Sequence, residues 1–94
     1  MEDPLKLCAD LNAIFRPQSG GWLDRDTLRR VRELCRAAAD AAGDMQCRLE
    51  LGRIEHCAAQ LHSHRDARVD VLRQQVLVSL EQVEHRARMS RAPA

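Results

Sequence analysis

Three stretches of this chain carry apolar residues at steps of three and four, and together they cover most of its 94 residues. In the first, Leu28, Val31, Cys35, Ala38, Ala42, Met45 and Leu49 alternate three- and four-residue steps for about three heptads. In the second, Cys47, Leu51, Ile54, Ala58 and Leu61 form another stripe. Positions 49 and 51 lie about 200° apart on a helical wheel, so the second stripe faces nearly opposite to the first. The third stripe is Val69, Leu72, Val76, Leu80, Val83 and Ala87, whose steps approach the 3.6-residue period of a straight helix. Val71, Leu77 and Val78 widen its apolar surface beyond a single seam. Periodicity of this kind is that of amphipathic helices, and a strand would alternate every two residues.

Composition agrees. Apolar residues make up 45% of the chain but aromatic residues only 2%, with Phe15 and Trp22 alone and no tyrosine. Small and aliphatic side chains suit close helix–helix packing, whereas sheets draw on aromatic and β-branched residues. The expected class is all-α, a small helical bundle or helical hairpin with coiled-coil character. At this length it forms one domain, residues 1–94.

The helix boundaries are marked by capping residues. Asp3 is placed to cap a first helix with Pro4 in its first turn, and Leu7, Cys8, Leu11, Ile14 and Phe15 fall on one face. Arg16-Pro17 ends it, and a loop over 16–23 follows. Asp24 is a second N-cap, flanked by Leu23 and Leu28 as a hydrophobic staple. Gly43 can end a helix and Asp44 can cap the next, so either the chain turns there or one long helix is buried on two sides. Gly52 weighs slightly against the long helix. Ser63 and Asp66 have a capping-box-like spacing. The expected helices are 4–15, 25–42, 45–61 and 65–88, with the middle two or the last two open to fusion. The long helices thus fall within 24–89, before a basic, frayed tail at 90–94.

The residues 54–68, IEHCAAQLHSHRDAR, group His56, Cys57, His62 and His64. A metal site on one helix needs ligands at i and i+3 or i+4, and no pair here has that spacing. Cys57 and His64 share a face but stand two turns, about 10 Å, apart. Cys57, His62 and His64 form a metal site only if the chain turns near Ser63, and Cys57 sits beside Ile54, Ala58 and Leu61 as a core residue would. No serine or cysteine lies in a glycine-rich elbow and no phosphate loop is present, so the chain reads as non-catalytic, without a cofactor. The acidic residues fall on helix surfaces, with i,i+4 pairs at Arg29–Glu33, Arg36–Asp40, Asp44–Arg48 and Glu84–Arg88.

The formal net charge of +1 gives no bulk attraction to nucleic acid or membrane. Arg25, Arg29, Arg32 and Arg36 nevertheless make one basic stripe, part-neutralised by Asp26 and Glu33. No apolar run approaches the roughly 20 residues of a membrane span, and the acidic N-terminus lacks the basic region of a secretory signal. Four cysteines with no CxxC motif read as reduced thiols, and the expected compartment is the cytoplasm, or the nucleus.

The expected function is a protein–protein interaction or assembly module. It self-associates or joins a helical partner through apolar seams, Leu28, Val31, Cys35 and Ala38 on one side and Leu72, Val76, Leu80 and Val83 on the other. Trp22, after Gly20-Gly21, is either an interface anchor or a lid over the helix ends. The alternative is a small helical regulator that binds a metal ion or nucleic acid through the His/Cys cluster or the arginine stripe.

Overall fold

A computed structural model of the chain describes residues 3–16, 23–63 and 69–91. Four helices follow one another: α1 (Pro4–Phe15), α2 (Arg25–Ala42), α3 (Met45–Ser63) and α4 (Val69–Arg91). The first two match the bounds expected from their caps. Asp3 accepts from the Leu5 amide at 3.0 Å, and Asp24 accepts from the Thr27 amide at 2.7 Å. Each satisfies one of the amides that a helix start leaves without a partner.

The chain turns at Gly43. This residue adopts a left-handed conformation, φ 63°, and its amide donates to Ala39 O at 3.1 Å. Asp44 then accepts from the Gln46 amide at 3.0 Å, so α3 begins two residues after α2 ends. The apolar run expected to continue through Met45 and Leu49 is therefore cut. Beyond the turn Met45 is 76% exposed and Leu49 56%, because α3 buries the opposite stripe instead. α3 ends at Ser63, so α3 and α4 are separate helices as well. Asp66, the partner in the capping-box spacing, lies outside the described residues. α4 runs on to Arg91, into the segment expected to fray.

The helices pack antiparallel around one core. Leu23 bridges the start of α2 to the end of α3: its amide donates to Leu61 O at 3.3 Å, and His62 Nδ1 lies 3.0 Å from its carbonyl. Cys57 on α3 touches Gln75 on α4, and the Asn12 amide on α1 donates to Glu84 on α4 at 2.6 Å. α1 packs between α2 and α4, and α3 does the same on the other side, so each helix has two neighbours. Leu7, Cys8, Leu11 and Phe15 make α1 the fourth wall of the core.

Ile54, Leu61, Leu80, Val83 and Phe15 have no exposed surface. Burying aliphatic side chains of this size is worth roughly 1.5–3 kcal/mol each before ordering costs. The bundle is elongated, 47 × 21 × 21 Å, with helix axes along its length.

Candidate interaction face

The residues expected to form intermolecular seams lie inside the chain's own core. Leu28, Val31, Cys35 and Ala38 are at most 7% exposed, and Leu72, Val76, Leu80 and Val83 at most 9%. Each seam is closed by a neighbouring helix of the same chain, which removes these side chains from a partner's reach. Trp22 lies outside the described residues.

The His/Cys group does not converge. His56 is exposed and bonds Gln60 on its own helix at 2.8 Å. Cys57 points toward α4, with its thiol 3.6 Å from Gln75 Oε1, and His62 points toward Leu23. His64 lies outside the described residues. Among the described residues no group of three or more His, Cys, Asp and Glu side chains is arranged to hold a metal ion. Burial pushes the Cys57 thiol above its ordinary pKa, which keeps it in the protonated, weakly nucleophilic form near neutral pH.

The arginine stripe is on the outside of α2. Arg25, Arg29, Arg32 and Arg36 are exposed, and the first three surround a shallow recess of about 200 Å³ over Leu28. Of the four expected i,i+4 pairs only Glu84–Arg88 closes, at 3.7 Å among the described residues. Asp44 turns instead to Arg86 across the α3–α4 boundary, at 2.6 Å.

What the sequence did not single out is the outer surface where α3 and α4 run side by side. A groove of about 920 Å³ lies there, lined by Leu49, Arg53 and His56 from α3 and by Gln75, Val78 and Gln82 from α4. Glu50 in its wall is buried, and it accepts from Arg53 at 3.0 Å and from Gln46 at 3.4 Å. The charge of Arg53 is thus answered within α3.

Along α4 the outward row is Val71, Gln75, Val78, Gln82, His85 and Met89, with no carboxylate or guanidinium in it. Val71 is 46%, Val78 47% and Met89 65% exposed. Among the described residues every large exposed apolar side chain belongs to α3 or α4, and α1 and α2 contribute none. Single exposed aliphatic residues are common on protein surfaces; alignment on one charge-poor face is not.

Compared with protein-family models, with curated proteins and with solved structures, the chain matches none. The face must speak for itself. No helix among the described residues is long and apolar enough to cross a membrane. The α3/α4 face sets exposed apolar side chains among the neutral amides of Gln75 and Gln82.

Proposed function

We propose that this chain is a non-catalytic protein–protein interaction module whose contact surface is the outer α3/α4 face. The supporting observation is the segregation of the surface. Leu49, Val71, Val78 and Met89 stand exposed on α3 and α4, while α2 is coated with arginine. Covering an exposed aliphatic side chain recovers transfer free energy of about 25 cal/mol per Å² of apolar area. Glutamine around it supplies donors and acceptors without the desolvation cost of full charges. The four-helix core is closed without this face, so the fold leaves it free for a partner.

The proposal is tested by recovering the tagged chain from its native cells, either unaltered or as the Leu49→Arg/Val78→Arg variant. Both positions are exposed, so the variant retains the core. The expected result is that proteins held by the unaltered chain, other copies included, are lost from the variant. Retention of the same proteins, combined with their loss from an Arg29→Glu/Arg32→Glu variant, would move the contact surface to α2.

A further inference from the structure

We infer that the α3/α4 face binds a second copy of this chain, with the two α4 helices antiparallel across a two-fold axis at the level of Leu80 and Gly52. The inference rests on the reading of this face as an interaction surface and adds the partner and the register.

The level follows from the packing inside one chain. Cys57 meets Gln75, and five residues further along each antiparallel helix come Gly52 and Leu80. Leu80 is also the middle of the exposed row on α4. Val71 lies nine residues before it and Met89 nine after; Gln75 and His85 lie five away, Val78 and Gln82 two away. An isologous contact places residue i opposite j and j opposite i. Here it sets Val71 against the second copy's Met89, Gln75 against its His85, and Val78 against its Gln82. Each exposed apolar side chain of α4 meets an uncharged one, and no like charges meet along the row. On α3 the axis passes Gly52, where a Cβ would meet nothing within 4 Å in the single chain. A glycine there leaves room for another backbone to approach.

Charge selects a copy of the same face over the other surfaces. A two-fold contact sets the net charge of a face against the same net charge, so a face that carries one sign of charge opposes its own pairing. On the α3/α4 face Arg53 is held by Glu50 and Arg86 by Asp44. The α2 face, with Arg25, Arg29, Arg32 and Arg36 in one stripe, opposes its own copy. A primary amide both donates and accepts, so Gln75 can bond the second copy's His85 ring in either tautomer.

Area is adequate. The 19 residues of α3 beside α4 present a strip roughly 28 Å by 20 Å at 1.5 Å per residue and about 10 Å per helix. Side-chain relief raises the accessible area of such a strip toward the roughly 800 Å² per partner of a standard specific interface.

Sedimentation equilibrium of the purified chain, combined with disulfide trapping, tests this. The mass is expected to double with rising concentration. Val78→Arg should weaken the association by more than about tenfold, Gln82→Glu should weaken it too, and Arg29→Glu should leave it unchanged. Circular dichroism establishes that each variant folds. A Val78→Cys chain mixed with a Gln82→Cys chain should form the mixed disulfide faster than either forms its own, since antiparallel pairing brings positions 78 and 82 together. A monomer at every concentration overturns the second copy as partner, as does association indifferent to Val78→Arg. Faster Val78→Cys self-pairing overturns the register. If the purified chain is monomeric yet Leu49→Arg/Val78→Arg still strips proteins from it in cells, only the self-pairing fails. If neither occurs, the α3/α4 reading fails as well.

Discussion

Arg73 is buried between α4 and the last turn of α1, where Nη1 donates to Phe15 O at 2.6 Å. The final carbonyls of a helix have no partner within it, and a cationic donor there also meets the negative end of the helix dipole. A charge-assisted bond of this kind is worth about 1.5–3 kcal/mol, so Arg73→Met, which keeps the aliphatic stem, should lower stability to urea by that amount. A smaller loss than Arg29→Met on the exposed face would contradict the assignment. Spacing alone gave no sign of this role, because Arg73 adjoins the apolar stripe without belonging to it and its acceptor is a backbone atom of a distant helix. The burial of Cys8, Cys35, Cys47 and Cys57 was legible, since each falls on an apolar stripe. Burial pushes the Cys8 and Cys35 thiols up to about 12 from 9.0, with the charge of Glu84 adding to Cys8 and that of Glu55 to Cys35. A raised folded-state pKa stabilises fully below the unfolded value and is lost as pH climbs. The urea midpoint should therefore hold up to pH 9 and fall between 9 and 12. With no tyrosine and a single lysine, the other groups that titrate there are chiefly the Cys47 and Cys57 thiols, which burial also raises, so Cys8→Ala/Cys35→Ala should lessen the fall without abolishing it. At the acid end the sign reverses. The Arg86 hydrogen bond holds Asp44, and the Thr27 amide holds Asp24, below the ordinary 3.8. Their contribution is complete above that value and is lost as pH drops through the folded pKa. Acid titration of Asp44→Asn should show a shallower loss than the unaltered chain.

At the level of helices, the two described glycines have opposite parts. Gly43 sits at φ 63° with open space around its Cα, so a methyl group meets no neighbour and the cost of Gly43→Ala is backbone strain alone, about 1–2 kcal/mol. Gly52 is in the interior of α3, equally open, and Gly52→Ala should stabilise the dilute protein by about 0.5–1 kcal/mol. Thermal unfolding of the two variants decides it: a stabilising Gly43→Ala or a destabilising Gly52→Ala would contradict the assigned helix boundaries. These elements were readable to different degrees. Asp3, Asp24 and the Gly43-Asp44 pair mark three helix starts and one stop by local chemistry, which a sequence displays directly. The run from Leu28 to Leu49 was misleading, because regular spacing carries across a turn when the residues beyond it happen to keep step. The turn places Met45 and Leu49 outside, where spacing alone had put them in a seam. The uncharged row on α4 was also in view as Val71 and Val78 beyond the main stripe. Its meaning required knowing that α3 supplies Leu49 and a groove beside it.

For the whole molecule, the question is which apolar stripes fold satisfies and which it leaves over. Four amphipathic helices in a ring bury the stripes expected to be shared with a partner, so seams containing Val31, Cys35, Leu80 and Val83 are consumed within one chain. Residue spacing reports that a face is apolar; it does not report whether the covering helix belongs to the same chain, since that depends on how α1 and α3 fit between α2 and α4. What remains is an elongated body, 47 × 21 × 21 Å, with arginine along α2 and aliphatic and amide groups along α3 and α4. Pairing through the α3/α4 face lays two such bodies side by side, while contact through helix ends would lay them in line. Small-angle X-ray scattering over a concentration series separates these directly. Side-by-side pairing doubles the mass while the long axis stays near 47 Å and a 21 Å dimension roughly doubles, and Val78→Arg returns the single-chain profile. A particle that lengthens to about twice that axis, or a doubled mass unaffected by Val78→Arg, would contradict it.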